Sequence, residues 1–360
     1  METAMKKRNY SIHGPEKQLA KEAGLASAEW YTCDIPRQRL KELMKRKDGP
    51  AIRDTIIWFG LLILSGIAAY YAWGTWWAIL AFFVYGTLYS TAADARWHEC
   101  GHGTAFKTQW MNEIVYQIAS FMVLRPATPS YYSHVWHHTD TFIVGLDPEI
   151  IARPPLWRII LANLMRIHGG ILDQKRMLMH CFGKLNQDEK AYIPESKYRK
   201  TFWEARIHAL IILGVIIWCI SIESILPAMF IGLPTFYGTF MYILYAMTQH
   251  VGLNENVLDH RLNTRTVYMN VINRFLYWNM NYHIEHHMFP MVPYHALPAL
   301  HEEMKADCPP ATPSLWVALK IVYSAIQTQR KDYNFSITPP LPTTARPYRF
   351  GPEDKQGILI

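Results

Sequence analysis

The chain has 360 residues, of which 50% are hydrophobic and 14% aromatic, whereas only 18% are charged. A soluble protein of this length usually has about a quarter of its residues charged, so the composition disfavours that class. The net charge of +7 is explained by membrane topology or anionic lipid headgroups, or alternatively by a docking surface for an acidic protein. With no nucleic-acid-binding motif in the chain, we expect no nucleic-acid partner.

Residues 1–54 are polar and basic and lack the apolar core of a secretory signal, so we expect a cytosolic arm. The cysteines are odd in number and scattered, which favours a reducing compartment over a disulfide framework. They are Cys33, Cys100, Cys181, Cys219 and Cys308.

Four apolar stretches follow, in two pairs, and each is close to the roughly 20 residues that a helix needs to cross a bilayer. Buried core helices of a soluble protein are the alternative. The predicted spans are residues 55–73, 77–95, 205–224 and 228–248.

The connectors within the two pairs contain no lysine or arginine, and tryptophans flank the first connector. Because positive residues stay on the cytoplasmic side, the arm, residues 96–204, residues 249–305 and the C-terminal region 306–360 are all predicted to be cytosolic. That last region is expected to hold a helix and a proline-rich tail. The sequence therefore predicts an all-α, multi-pass membrane protein, with four transmembrane helices in two hairpins and a helical cytosolic cap.

Histidines cluster just outside these stretches, in the segments "HECGH", "HVWHH" and "HIEHH". On a helix, residues three and four apart share one face, so each segment projects two or three imidazoles together. Neutral imidazole binds iron, zinc, copper and nickel. We predict a metal site formed by His98, His102, His134, His137, His138, His283, His286 and His287, with His250 as a ninth candidate.

Counting these side chains distinguishes between kinds of site. One ion takes four to six ligands, whereas two ions can use all of these histidines. "HECGH" also fits the H-E-x-x-H pattern of a zinc protease, in which Glu99 would be the base, but such an enzyme has no use for two triple-histidine segments. A metal transporter should place ligands inside its spans, where these histidines do not lie. We expect neither Glu99 nor Glu285 to be a ligand.

The three segments, in this order and with spans between the second and third, resemble the histidine boxes of the integral-membrane fatty acid desaturase and hydroxylase superfamily. The resemblance covers about residues 55–305. The stretches "HTDTFIVGLDPE" and "NYHIEHHMFPMVPYHALPALH" are similar to a bacterial branch of hydrocarbon oxygenases, the rhizopine-catabolism oxygenase type.

The resemblance implies a non-haem centre of two iron ions, held by the nine histidines on the cytosolic side of a bacterial inner membrane. It also implies O2 as co-substrate, a lipid or other hydrophobic substrate, and a separate electron donor of ferredoxin, rubredoxin or cytochrome type with its reductase. Some members have an asparagine four residues before the ninth histidine; Ala246 stands there in this chain. Desaturation and hydroxylation are both compatible with the pattern, and no catalytic residue beyond the ligands is predicted.

Polar residues near the boxes can orient ligand imidazoles or serve as caps and turns, and the sequence leaves both roles open. These are Asp140, Asp147, Asn254 and Asp259. The other histidines near the boxes or between them lack cluster spacing and are expected to be structural or exposed. They are His168, His180, His208, His260, His295 and His301.

Overall fold

The computed structural model describes residues 8–150 and 165–356, and within these ranges the chain is helical. Its β structure there consists of two isolated bridges, Thr266 with Tyr282 and Val267 with Thr312. The α-helices are Glu16–Glu22, Arg37–Leu43, Asp48–Ala72, Trp77–Gly86, Ala92–Gly101, Gln109–Met122, Ala127–Thr139, Ile167–Cys181, Gln187–Tyr192, Tyr198–Ser221, Leu226–Phe230, Pro234–Tyr237, Phe240–His250, His260–Asn263, Val271–Leu276, His283–Met288, Leu297–Met304 and Leu315–Gln329. A π-helical turn spans Thr87–Thr91, and 3-10 turns span Glu195–Lys197, Tyr294–Ala296 and Pro352–Gln356.

Three helical stretches in the described ranges are long and apolar enough to cross a membrane: Arg37–Ala72, Trp77–Gly101 and Glu195–Ser221. The first and third leave large aliphatic side chains exposed along their length, including Leu64 and Ile217. Exposed apolar surface of this extent is expected of helices that face lipid rather than water. The predicted all-helical fold is thus confirmed for the described residues, and the three apolar stretches support the expected membrane character.

The second of these stretches, Trp77–Gly101, is much more buried than the other two. It contains the π-helical turn, and the Trp58 indole donates a hydrogen bond of 2.7 Å to the backbone oxygen of Leu88 within that turn. A π turn inserts an extra residue and so rotates everything after it, a device common at functional sites. The side chains that follow, including Trp97, pack inside the protein.

The expected continuous helix over residues 228–248 is wrong. The segment is divided into Leu226–Phe230, Pro234–Tyr237 and Phe240–His250. Pro234 lacks the N–H that a continuing helix needs, and Gly232 has a φ of 96°, which favours glycine. Three of the four predicted spans are therefore found as uninterrupted helical stretches in the described chain, the second of them with a π-helical turn inside it.

Gly238, in the broken segment, lies in close backbone contact with Gly86. A Cβ atom there would lie 2.0 Å from the backbone oxygen of Gly86, so two glycines permit the chains to touch. Thr91, at the end of the π turn, donates a hydrogen bond of 2.9 Å to the oxygen of Gly238. The broken segment is thereby fixed against the helix that leads to the first histidine box.

The N-terminal arm wraps around the helices that carry the other boxes. The Trp30 indole donates to the Thr139 oxygen (3.0 Å), and the Tyr31 N–H donates to the Leu258 oxygen (2.8 Å). An apolar cluster joins the arm to the third-box helix His283–Met288 and to Leu297–Met304; it includes Cys33, Leu43, Ile284, Met288 and Leu300. The arm therefore buttresses the histidine boxes.

Candidate metal centre

The three boxes and the ninth histidine lie on four separate helices that converge. His98 lies in the last turn of the second long stretch, and His102 follows its end. The second box lies on Ala127–Thr139, the third on His283–Met288, and His250 is the last residue of Phe240–His250. Placement at helix ends brings the imidazoles together from parts of the chain that are distant in sequence.

Five imidazoles form a first cluster, group one. Their candidate ligand atoms lie within 4.8 Å of one another. Within it, the Nε2 atoms of His98 and His286 are 2.7 Å apart, and His102 and His138 each bring Nε2 to 3.1 Å from His134 Nε2. The members of group one are His98, His102, His134, His138 and His286.

A second cluster, group two, consists of His137, His250 and His287, also with ligand atoms within 4.8 Å. His283 adjoins it, because its Nε2 lies 3.1 Å from Nε2 of both His250 and His287. The two groups are neighbours, since the rings of His138 and His287 stack at 4.4 Å between centroids. All nine histidines predicted from the sequence thus meet in one place.

Behind group two, hydrogen bonds to Nδ1 fix the orientation of each ring. His250 Nδ1 lies 2.8 Å from the backbone oxygen of Asn263. A carbonyl only accepts, so this Nδ1 carries the proton and Nε2 keeps its lone pair for a cation. Asp147 lies 2.8 Å from His137 Nδ1 and acts in the same way. His287 Nδ1 contacts the Thr141 hydroxyl at 3.2 Å.

Carboxylates also stand behind group one. Glu149 is 3.0 Å from His134 Nδ1 and accepts a hydrogen bond of 2.6 Å from Ser133. Glu99 is fully buried, and its Oε1 lies 3.5 Å from His286 Nδ1 while its other oxygen accepts from Thr104. Glu99 therefore lies behind a candidate ligand, outside the cluster, and does not project into it as a protease base would.

The electrostatics favour neutral rings that are ready to bind a cation. Burial, together with the neighbouring imidazoles, holds the pKa values of His138 and His250 well below their usual range. Burial acts in the same direction on His137, but the Asp147 carboxylate outweighs it and raises the pKa of that ring. Burial opposes ionisation of Glu149, yet His134 and Ser133 hold its pKa at about 2.

The donor set fits iron. Imidazole nitrogen suits divalent iron, zinc, copper and nickel. Several of the rings also have a hydrogen-bonding partner at Nδ1, as metal-ligating histidines usually do. Eight rings in two adjacent groups, with His283 beside the second, offer enough ligands for two ions.

Other polar residues that were singled out in the sequence lie elsewhere. Asn254 bonds Ser336 and the tail, and Asp259 caps a short helix and pairs with Arg261, so both have structural roles. Glu285 is buried against His301 Nδ1 at 2.5 Å and is not among the clustered groups. His260 stacks on Trp30, with 4.3 Å between ring centroids. Among the four candidates, Asp147 is the one that forms a hydrogen bond with a clustered histidine within the described residues.

Three supporting residues were missed in the sequence. Thr141 and Glu149 lie in the loop after the second box. That loop folds back onto the helix of the box, and no sequence pattern indicates this. Asn263 acts through its backbone oxygen, which every residue has, so no sequence signal exists for it.

Comparison with known proteins gives the class. The fatty acid desaturase family profile matches residues 74–318, and the chain therefore belongs to that family. Fatty acid conjugase FAC2 A of Calendula officinalis is 24% identical over 315 residues, which cover 75% of this chain and 80% of the relative. Fatty acid conjugase FAC2 B of the same plant is 24% identical over 265 residues, or 62% of this chain and 68% of the relative.

Proposed function

We propose that the protein is a membrane-bound, non-haem di-iron oxidoreductase. It uses O2 and external electrons to oxidise an unactivated C–H bond of a lipid or hydrocarbon-like substrate, as a desaturase or hydroxylase. Membership of the desaturase family and the apolar helices support this proposal. The observation that carries it is the convergence of the histidines into two adjacent groups.

Different residues would bind each of the two ions. Group one would hold one iron, and group two with His283 would hold the other. Bound iron would supply the dioxygen chemistry that no amino-acid side chain provides. Asp147 and the Asn263 oxygen keep protons on the outward nitrogens of His137 and His250, so that the inward nitrogens remain free to bind.

Surrounding side chains keep water away from part of the centre. Phe142 stacks on His250 with 4.7 Å between centroids, and the Trp97 ring lies 5.7 Å from that of His134. Trp97 and Phe142 are both buried. A dry, apolar wall suits a substrate that arrives from lipid, because its hydrocarbon part never has to enter water.

The balance of the reaction defines a partner. Forming an alkene from two C–H bonds with one O2 yields two waters and consumes two additional electrons and two protons, and hydroxylation yields one alcohol and one water with the same demand. We propose that a separate protein of ferredoxin, rubredoxin or cytochrome type delivers the electrons. The centre and both termini would lie on the cytosolic side of the membrane.

Turnover tests the proposal. Membranes containing the protein, supplied with O2 and reduced ferredoxin, should convert a fatty acyl or hydrocarbon substrate with a loss of 2 or a gain of 16 mass units. His137→Ala should abolish conversion and still insert in the membrane. One bound zinc per chain without conversion would instead support a protease, and loosely held mixed metals a transporter.

A further inference from the structure

A strongly basic segment precedes the first long helix. Residues 37–47, "RQRLKELMKRK", carry six basic side chains and one acidic side chain, Glu42. Arg37, Lys41, Lys45 and Lys47 are exposed. We call residues 37–47 the basic patch. Positive charge gathered on one face steers an acidic partner towards it.

A cavity of about 400 Å³ lies at the base of the patch. Arg39, Glu42, Lys45, Lys47 and His295 are among its lining residues. Arg39 is paired with Glu42 and Glu303, whereas no ion pair is recorded for Lys45 or Lys47 within the described chain. The cavity therefore presents two available cations beside an imidazole.

A short chain of contacts connects this cavity with the histidine clusters. The backbone N–H of Tyr294, next to His295, lies close enough to the Glu99 carboxylate to favour its charged form. Glu99 Oε1 is 3.5 Å from Nδ1 of His286, a member of group one. The Tyr294 backbone and the Glu99 carboxylate thus lie between His295 and a candidate iron ligand.

Two other basic regions of the described chain, around Lys200 and around Arg8, lack this combination. Lys200 is paired with Glu113 and Glu204, and Arg8 with Glu255. Lys197 and Arg199 are exposed, but no described contact links them with a clustered histidine.

We infer that the basic patch is the docking surface for an acidic, one-electron carrier protein, which delivers electrons along the route His295, Tyr294, Glu99 and His286. This inference rests on the proposed function, because a carrier is needed only if the centre consumes electrons. Each carrier loses one electron per encounter, so two encounters complete one turnover. The position of the patch at the start of a membrane helix also suits anionic lipid headgroups, and the test separates the two occupants.

The test uses the full iron-loaded chain in nanodiscs of phosphatidylcholine, which has no net charge. Lys45→Glu with Lys47→Glu reverses the patch, and Lys197→Glu with Arg199→Glu is a control with the same change of charge. Stopped-flow absorbance follows reduction by a plant-type [2Fe–2S] ferredoxin and, separately, by reduced methyl viologen. Pelleting with phosphatidylglycerol vesicles measures lipid binding.

We expect the patch variant to lose about tenfold in the second-order rate of reduction by ferredoxin at low ionic strength. High salt should remove the difference between the patch variant and wild type, because it screens the charges. Viologen should reduce both variants at the wild-type rate. The control variant should be reduced by ferredoxin within about twofold of the wild-type rate, since its charges lie off the route. Equal ferredoxin rates for the two variants would overturn the inference. So would a defect confined to vesicle binding, which would assign the patch to lipid. Failure of the wild type to bind iron or accept electrons from viologen would defeat the proposed function itself.

Discussion

The two histidine groups differ in how firmly the protein holds them. In group two all three rings are buried, and each Nδ1 has a hydrogen-bonding partner: Asp147, the Asn263 oxygen or Thr141. In group one, His102 and His138 are partly exposed, and Nδ1 of His138 has no hydrogen-bond partner within the described residues. Group two is thus the more buried and more firmly oriented half of the centre, whereas group one contains partly exposed rings.

Loss of a group-two ring should have the largest effect. His250→Ala removes a buried ring nitrogen from the smaller of the two groups, so we expect iron to fall from two ions per chain towards one, with loss of turnover. Elemental analysis of purified protein measures this. His208→Ala is the matched control, because His208 is buried against Phe121 and outside the clusters. Full iron content in His250→Ala would exclude this ring as a ligand.

Asp147→Asn should have the second-largest effect, a loss of iron affinity. The carboxylate accepts from the backbone N–H groups of Phe142 (2.9 Å) and Glu149 (2.7 Å), as well as facing His137. Asparagine has one accepting oxygen, so it cannot satisfy all three. Loss of such a partner typically weakens metal binding by about 10 to 100-fold. Competition with a chelator measures iron affinity, and an unchanged affinity would show that this contact is dispensable.

Glu149→Gln should have a smaller effect, below about tenfold in iron affinity, because a more exposed partner adds less to the rigidity of the ring it supports. The Glu149 side chain is 26% exposed, whereas that of Asp147 is fully buried. The same chelator competition applies. A larger loss for Glu149→Gln than for Asp147→Asn would reverse the proposed order of the two groups.

The smallest expected effect is that of pH on the metal-free protein. His138, His250 and His287 have lowered pKa values because of burial and neighbouring imidazoles. At pH values below about 6.5, the usual pKa of histidine, these rings are protonated in the unfolded chain but remain neutral in the folded chain. The free energy of unfolding therefore falls as pH drops. We expect the thermal midpoint in detergent to fall between pH 7.5 and 5.5. Asp147→Asn should steepen this fall, since Asp147 lets His137 accept a proton. A midpoint that rises on acidification would contradict the assignment.

Much of the centre could be predicted from the sequence because helical spacing alone places boxed histidines on one face. All nine meet in the structure, although no pattern indicated how they divide into two groups. That division depends on the relative positions of four helices. Asp147 was among several candidates, and only the folded loop distinguishes it from Asp259, which pairs with Arg261 instead.

The fold was predictable where hydropathy and backbone chemistry agree. Residues 228–248 are apolar enough to suggest a span, but Pro234 and the glycines on either side of it interrupt the helix. Hydropathy cannot report this break, because it counts side-chain polarity and ignores backbone hydrogen bonding. Nor can it report the contact between Gly86 and Gly238, which are far apart in sequence.

Anomalous diffraction at the iron absorption edge, from crystals of the iron-loaded protein, tests the central claim most directly. We expect two anomalous peaks, one among the five rings of group one and the other among His137, His250, His283 and His287. A single peak, or a zinc signal at His98 and His102 alone, would contradict it.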